Sequence, residues 1–132
     1  MITISAWLAL DEATVENACV QIVPGAHKQV IPHVKAPPEM LFRQMADPNY
    51  ISTQPVIDME LQPGQFFLFN EQTLHRSAAN TSNYRRIGLA IRVTVPLVKV
   101  YHQQLFEGHK VIIVSGKDPL GFNQVTQPPP YS

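Results

Sequence analysis

Residues 2–10 alternate along the chain. Ile2, Ile4, Ala6, Leu8 and Leu10 fall on one side, and Thr3, Ser5, Trp7 and Ala9 on the other. A period of two predicts a β-strand, with Trp7 on its more polar face. Residues 18–23 form a second apolar run that stops at Pro24-Gly25, a strong turn signal. Pro32, Pro37, Pro38 and Pro48 interrupt residues 28–54. That stretch predicts a long loop with a short helical turn around residues 39–45. Residues 56–61 read as a strand, Gln62-Pro63-Gly64 as a turn, and Gln65-Phe66-Phe67-Leu68-Phe69 as a strongly apolar strand. Two further strands, residues 73–77 and 85–95, flank the polar turn 78–83, and residues 111–114 form a last short strand before a Pro-rich tail. Short strands, frequent turns and no long helical period predict an all-β sandwich or jelly roll.

With 132 residues and 45% hydrophobic content, the chain predicts a single domain over residues 1–132. Formal net charge is zero, so there is no basic surplus to neutralise phosphates, and nucleic acid is not an expected partner. A lone Cys19 excludes an intrachain disulfide and a Cys-rich zinc site, and its apolar setting predicts a small buried hydrophobe. No apolar run approaches the length of a membrane span. The N-terminus lacks the positive region of a signal peptide, so a cytoplasmic protein acting on a small molecule, with no membrane partner, is the expectation.

Chemistry concentrates in residues 73–92. On strand 85–95, Ile87, Leu89, Ile91, Val93 and Val95 share one face, while Arg86, Gly88, Ala90, Arg92 and Thr94 share the other. Two Arg separated by the smallest side chains leave room for a ligand, and a guanidinium matches a carboxylate with two parallel hydrogen bonds. An edge strand with both Arg in solvent fits the same pattern. His75 ends an apolar strand, and the turn formers Asn80, Thr81, Ser82 and Asn83 can reverse the chain and bring it near Arg86. Trp7 is either a pocket wall or a core aromatic. His27 reads as a turn anchor, and Asp58 and Glu60 as the wet face of a strand. His33 lies in the long loop, and His102 and His109 are given no role.

Several segments together resemble the phytanoyl-CoA dioxygenase family. They are residues 10–17, residues 22–28 with Pro24-Gly25-Ala26-His27, Gly64 with Phe67-Leu68-Phe69, Leu74-His75-Arg76-Ser77, Asn80-Thr81-Ser82, Arg86, Arg92 and Gly116-Lys117-Asp118. Residues 29–55 carry no such likeness. The resemblance implies a double-stranded β-helix (a cupin-like jelly roll), here incomplete at the N-terminus, that binds Fe(II) and 2-oxoglutarate. It implies a metal site of two His and one carboxylate with open positions. His75 falls where the second metal His sits, Arg86 where the cosubstrate Arg sits, and Ser77 where a hydroxyl assists the same carboxylate; Trp7, read from its strand face and not from the resemblance, would line the cosubstrate pocket if it is not a core aromatic. In that fold the His and Arg strands belong to opposing sheets. The family's His-x-Asp or His-x-Glu motif, which supplies the other metal ligands, occurs at none of the five His. A dioxygenase of the hydroxylase type, present as a truncated form and inactive alone, is therefore the leading expectation. A non-catalytic jelly roll binding a small organic acid through Arg86 and Arg92 is the alternative. A β-rich subunit that dimerises, or takes the missing strands from a partner chain, is a third.

Overall fold

The computed structural model describes residues 3–40, 42–100, 110–128 and 130. The first alternating run becomes β1, Thr3–Ala9, and the apolar Phe-rich run becomes β6, Phe66–Asn70. The two pair antiparallel, with Trp7 opposite Phe67 and Ser5 opposite Phe69. Strand β8, Gly88–Thr94, pairs on the other edge of β1, giving a sheet ordered β6-β1-β8. A second sheet is ordered β5-β2-β7, from Ile57–Met59, Val20–Ile22 and His75–Arg76. Strand β2 is antiparallel to both neighbours, with Gln21 opposite Asp58 on one side and Arg76 on the other. The contacts gather into two compact units, Thr3–Arg92 and Val93–Ser132. In the second, β9 (Val111–Ile112) and β10 (Val125–Thr126) pair in parallel, and the Asn123 side chain bridges Val98 and Val100. Among the described residues no helix is long and apolar enough to cross a membrane. Strands arranged in facing sheets with almost no helix make this the expected all-β jelly roll.

The strand pattern holds at most predicted positions, with three corrections. The described residues within 39–45 carry no helical turn. This part of the chain instead forms an antiparallel hairpin of β3 (His33–Lys35) and β4 (Gln44–Ala46). The helical turn is α1, Pro48–Ile51, where the Asp47 carboxylate caps the Asn49 amide at 2.9 Å and Pro48 takes the first helical position. Asp-Pro is the local start signal, because Pro has no amide to leave orphaned there. Second, residues 111–114 do not hold the last strand: β10 follows just before the Pro-rich tail, a pairing too brief to leave a periodic trace. Third, His75 and Arg86 are not partners in a hairpin. Strand β7 belongs to one sheet and β8 to the other, as the family resemblance implies.

Burial distinguishes the two faces of β1. Ser5 and Ala9 are buried, while Ile4, Ala6 and Leu8 keep partial exposure. The outer sides of β6 and β8 are apolar and exposed as well, through Phe66, Leu68, Leu89 and Ile91. Side chains that fill the core of the first unit are small: Ala9, Ala13, Ala18, Cys19, Val20, Val23, Ala26, Ala36 and Ala46. Cys19 is among them, as its setting predicts, and burial pushes its thiol pKa up, with Asp58 and Glu60 adding to the rise.

Between β1 and β2 the chain turns through Ala18, a non-glycine residue at φ 63°. Left-handed backbone places Cβ against its own carbonyl, and glycine is free of that conflict. Ala18→Gly is therefore expected to raise stability by roughly 0.5–1 kcal/mol, read from chemical denaturation. An unchanged or lowered midpoint would show that the loop is not strained.

Candidate functional site

The inner side of the β6-β1-β8 sheet carries the chemistry. Parity carried back from β8 puts Arg86, two residues before the strand, on one side with Gly88, Ala90 and Arg92, and the structure shows that this is the Trp7 side. A Cβ built on Gly88 would fall inside the Trp7 indole, so the ring lies directly on the glycine backbone. The Arg86 guanidinium carbon stands 5.7 Å from the Trp7 ring centre, in cation–π range. Its Nε donates to the Asn17 carbonyl at 3.1 Å. Among the described residues no carboxylate lies within ion-pair distance of Arg86, and its terminal nitrogens carry no other hydrogen bond. A half-buried guanidinium with its two outer nitrogens free is a receptor for a carboxylate.

Arg92 occupies the same side further along β8, where its Nε reaches the buried Ser5 hydroxyl at 3.3 Å. This bond explains how a serine is tolerated at 3% exposure.

From Trp7 a line of aromatic rings crosses to the second sheet. Trp7 stacks on Phe67 with centres 6.1 Å apart, Phe67 tilts against Phe69 at 5.3 Å, and Phe69 meets the His75 ring edge-on at 5.0 Å. Phe67 and Phe69 had no distinguishing mark in a run where every residue is apolar. Only the pairing with β1 shows that they, and not Phe66 and Leu68, face inward. His75 Nδ1 lies 2.8 Å from the Thr73 carbonyl. A carbonyl accepts only, so Nδ1 is the donor in this contact and Nε2 is the ring nitrogen left for another partner. Ser77 follows β7, exposed and with no hydrogen bond among the described residues.

Of the residues singled out from sequence, the structure thus joins Trp7 to Arg86 directly and His75 to both through two phenylalanines. It gives no contact between Ser77 and Arg86. His27 lies in the 3-10 turn Ala26–Lys28, and His33 on the exposed β3, bonded to the Ile31 carbonyl. Asp58 is exposed on β5, as expected, and accepts from Gln21, while exposed Glu60 accepts from the Val15 amide. His102 and His109 lie outside the described residues.

A metal needs more than His75. Among the described residues no group of three His, Cys, Asp or Glu is close enough to hold one. One imidazole is a weak ligand, because affinity comes from several donors held together. The residues described here do not by themselves gather the donors of an iron site, whereas the Arg86 guanidinium stands beside the Trp7 ring with its outer nitrogens free.

Two groups missed in the sequence hold this arrangement. Asp11 accepts both Nε and Nη2 of Arg85 at 2.8 Å and the Ile87 amide at 2.9 Å. The Arg85 hydrogen bonds, with help from the Ile87 amide and against desolvation, hold the Asp11 carboxyl below the usual carboxylate range. The pair is therefore charged at neutral pH. Its contribution is present above the ordinary carboxylate pKa and lost only as pH falls through the lowered folded value. Asn17, at 4% exposure, ties the loop together: its Oδ1 accepts from the Thr14 amide at 2.8 Å and its Nδ2 donates to the Glu12 carbonyl at 2.9 Å.

Comparison with known proteins bears on this geometry. The model of the family described as phytanoyl-CoA dioxygenase (PhyH) matches residues 1–88 of 132, a span that includes residues 29–55 and ends two residues after Arg86. The Gly116-Lys117-Asp118 likeness lies outside that match. Dioxygenase lolE1 of Epichloe uncinata is 35% identical over 79 residues, covering 60% of this chain and 28% of that protein. A phytanoyl-CoA dioxygenase domain-containing protein 1 homolog of Caenorhabditis briggsae is 30% identical over 99 residues, covering 66% and 33%. The chain thus spans a third or less of the length of these relatives. Among solved structures, the non-heme alpha ketoglutarate dependent carbocyclase SnoK from nogalamycin biosynthesis aligns with a TM-score of 0.51 and 27% identity over 68% of this chain and 35% of that one. A family match over two thirds of the sequence, on a jelly roll that sets His75 and Arg86 on facing sheets, shows that the chain belongs to the phytanoyl-CoA dioxygenase family.

Proposed function

We propose that this chain carries the 2-oxoglutarate half of an iron- and 2-oxoglutarate-dependent oxygenase site. Arg86 receives the distal carboxylate of the cosubstrate, the Ser77 hydroxyl assists it, and Trp7 forms the wall beside it. His75 offers Nε2 as one iron ligand, and the other ligands come from outside these 132 residues, so the chain alone is inactive. The observation that carries this reading is the Arg86 guanidinium, held over Trp7 on the glycine side of β8 with its outer nitrogens free. The match to a family of dioxygenases and the likeness to an alpha ketoglutarate dependent carbocyclase support the choice of ligand.

Trp7 is the one tryptophan in the chain, so its emission reports on this pocket directly. Titration with 2-oxoglutarate is expected to change Trp7 fluorescence saturably, with glutarate acting as a weaker competitor. A flat titration into the millimolar range would overturn the proposal.

The absence of a three-donor group among the described residues favours a second reading, a non-catalytic module that binds an organic acid without a redox metal. Iron content and 2-oxoglutarate decarboxylation separate the two. Turnover with stoichiometric iron excludes the module. Acid binding with neither, even after the polypeptide region that precedes β1 in the family is added, supports it.

A further inference from the structure

Loop 11–18 does more than connect β1 to β2. It touches the Arg86 segment at three places, and all of them bear on where the guanidinium stands. Arg86 sits between two residues that Asp11 holds. On its N-terminal side, the Arg85 side chain forms a two-point bond with the Asp11 carboxylate. On its C-terminal side, the Ile87 amide donates to the same carboxylate, and the Ile87 carbonyl accepts from the Leu10 and Asp11 amides at 3.0 and 3.1 Å. With both neighbours tied, the direction of the Arg86 Cα–Cβ bond is set, and strand parity aims it at Trp7. The far end of the same loop then fixes the side chain, because the Asn17 carbonyl takes the Arg86 Nε proton. Asn17 can present that carbonyl because its own amide group is locked to Glu12 and Thr14, and because Ala18 takes a left-handed turn immediately after it.

We propose that Asp11 is a positioning residue for Arg86, acting through the backbone on either side of it, with the Asn17 carbonyl as the second point of the clasp. Arg alone has many rotamers of similar energy, and its affinity for a carboxylate depends on holding one of them. A clasp that holds the chain at residues 85 and 87 and the side chain at Nε leaves the two η nitrogens oriented and free. This inference rests on the proposed role of Arg86 for its consequence in binding, but not for the contact itself.

The experiment has two arms. The first is NMR of arginine side-chain Nε–H groups in the free chain, with the Arg86 signal assigned by its disappearance in Arg86→Lys. A bonded Nε–H is expected to give a slowly exchanging signal that broadens or moves to the solvent-exposed position in Asp11→Ala. Asp11→Asn, which keeps an acceptor for the Ile87 amide, is expected to restore part of it. The second arm is the 2-oxoglutarate titration: Asp11→Ala is expected to weaken binding about ten-fold and Asp11→Asn by less, since loosened support misplaces the contact group without removing it. Circular dichroism melting confirms that each variant is folded at the temperature used, and Arg85→Ala serves if Asp11→Ala does not fold. An Arg86 signal unchanged in a folded Asp11→Ala chain overturns the clasp, whatever the ligand does. Wild-type chain that shows the protected signal but binds no 2-oxoglutarate overturns the cosubstrate role and leaves the clasp standing.

Discussion

Arg86→Ala is expected to lower the affinity for 2-oxoglutarate by about a hundred-fold, from the loss of a charge-assisted two-point contact of roughly 3 kcal/mol at 1.4 kcal/mol per factor of ten. The effect should be nearly confined to binding. Arg86 is half-buried, and removing it costs the fold only one bond to the Asn17 carbonyl and the stack on Trp7. Arg86→Lys keeps the charge but loses the planar fork, so it should retain an intermediate affinity. The measurement is the Trp7 titration, checked by calorimetry because the substitution itself alters the surroundings of the indole. Equal affinity in wild type and Arg86→Ala would move the carboxylate site elsewhere, with Arg92 on the same side of β8 the next residue to test.

Gly88→Ala should be the most damaging small change to the fold. The added methyl would occupy space the Trp7 ring already fills, and neither partner can yield easily. Gly88 is at the start of β8, next to β1 in the sheet, while the indole is packed on Phe67 and covered by Arg86. Overpacking of this kind costs about 1–3 kcal/mol, which should lower the melting temperature by several degrees. Because the clash is with one side chain, it is testable by suppression. Trp7→Leu in the Gly88→Ala background should recover part of the loss, and the two substitutions should be clearly non-additive. Strict additivity would mean that Gly88 is required for another reason. Displacing Trp7 should also impair 2-oxoglutarate binding under the proposed function, since the Arg86 guanidinium stands over the ring.

Much of the strand pattern was legible because it depends on neighbours in sequence. Alternation located β1, the Phe-rich run located β6, and Pro24-Gly25 and Pro63-Gly64 marked the turns after β2 and before β6, with Gly25 and Gly64 both at positive φ. Less was legible where strands are two or three residues long. The hairpin of β3 and β4 was hidden by its prolines, and β10 by its brevity. Asp47-Pro48 is a local helix start, but the single turn that follows is too short to show a period. The candidate site divides in the same way. Arg86 stood out through its small neighbours on the same face, and His75 and Ser77 through their order in the family pattern. Asp11 gave no sign of its role, since an acid in a polar loop looks the same whether it is solvated or holds Arg85, 74 residues away.

The family, the all-β class and the placing of Arg86 on the same side as Gly88, Ala90 and Arg92 are already legible in the amino-acid order. Each follows from local spacing or from the order of motifs. Which side of β1 is inside emerges from the packing alone, since both of its faces carry residues that can be buried, and Ser5 is tolerated there through a bond from Arg92 on another strand. The packing also placed Trp7 over Gly88, put β7 and β8 in different sheets, and brought loop 11–18 around Arg86. Those contacts join residues 69 to 87 positions apart, where chain closure is governed by the whole fold and leaves no periodic mark in the residues that make them.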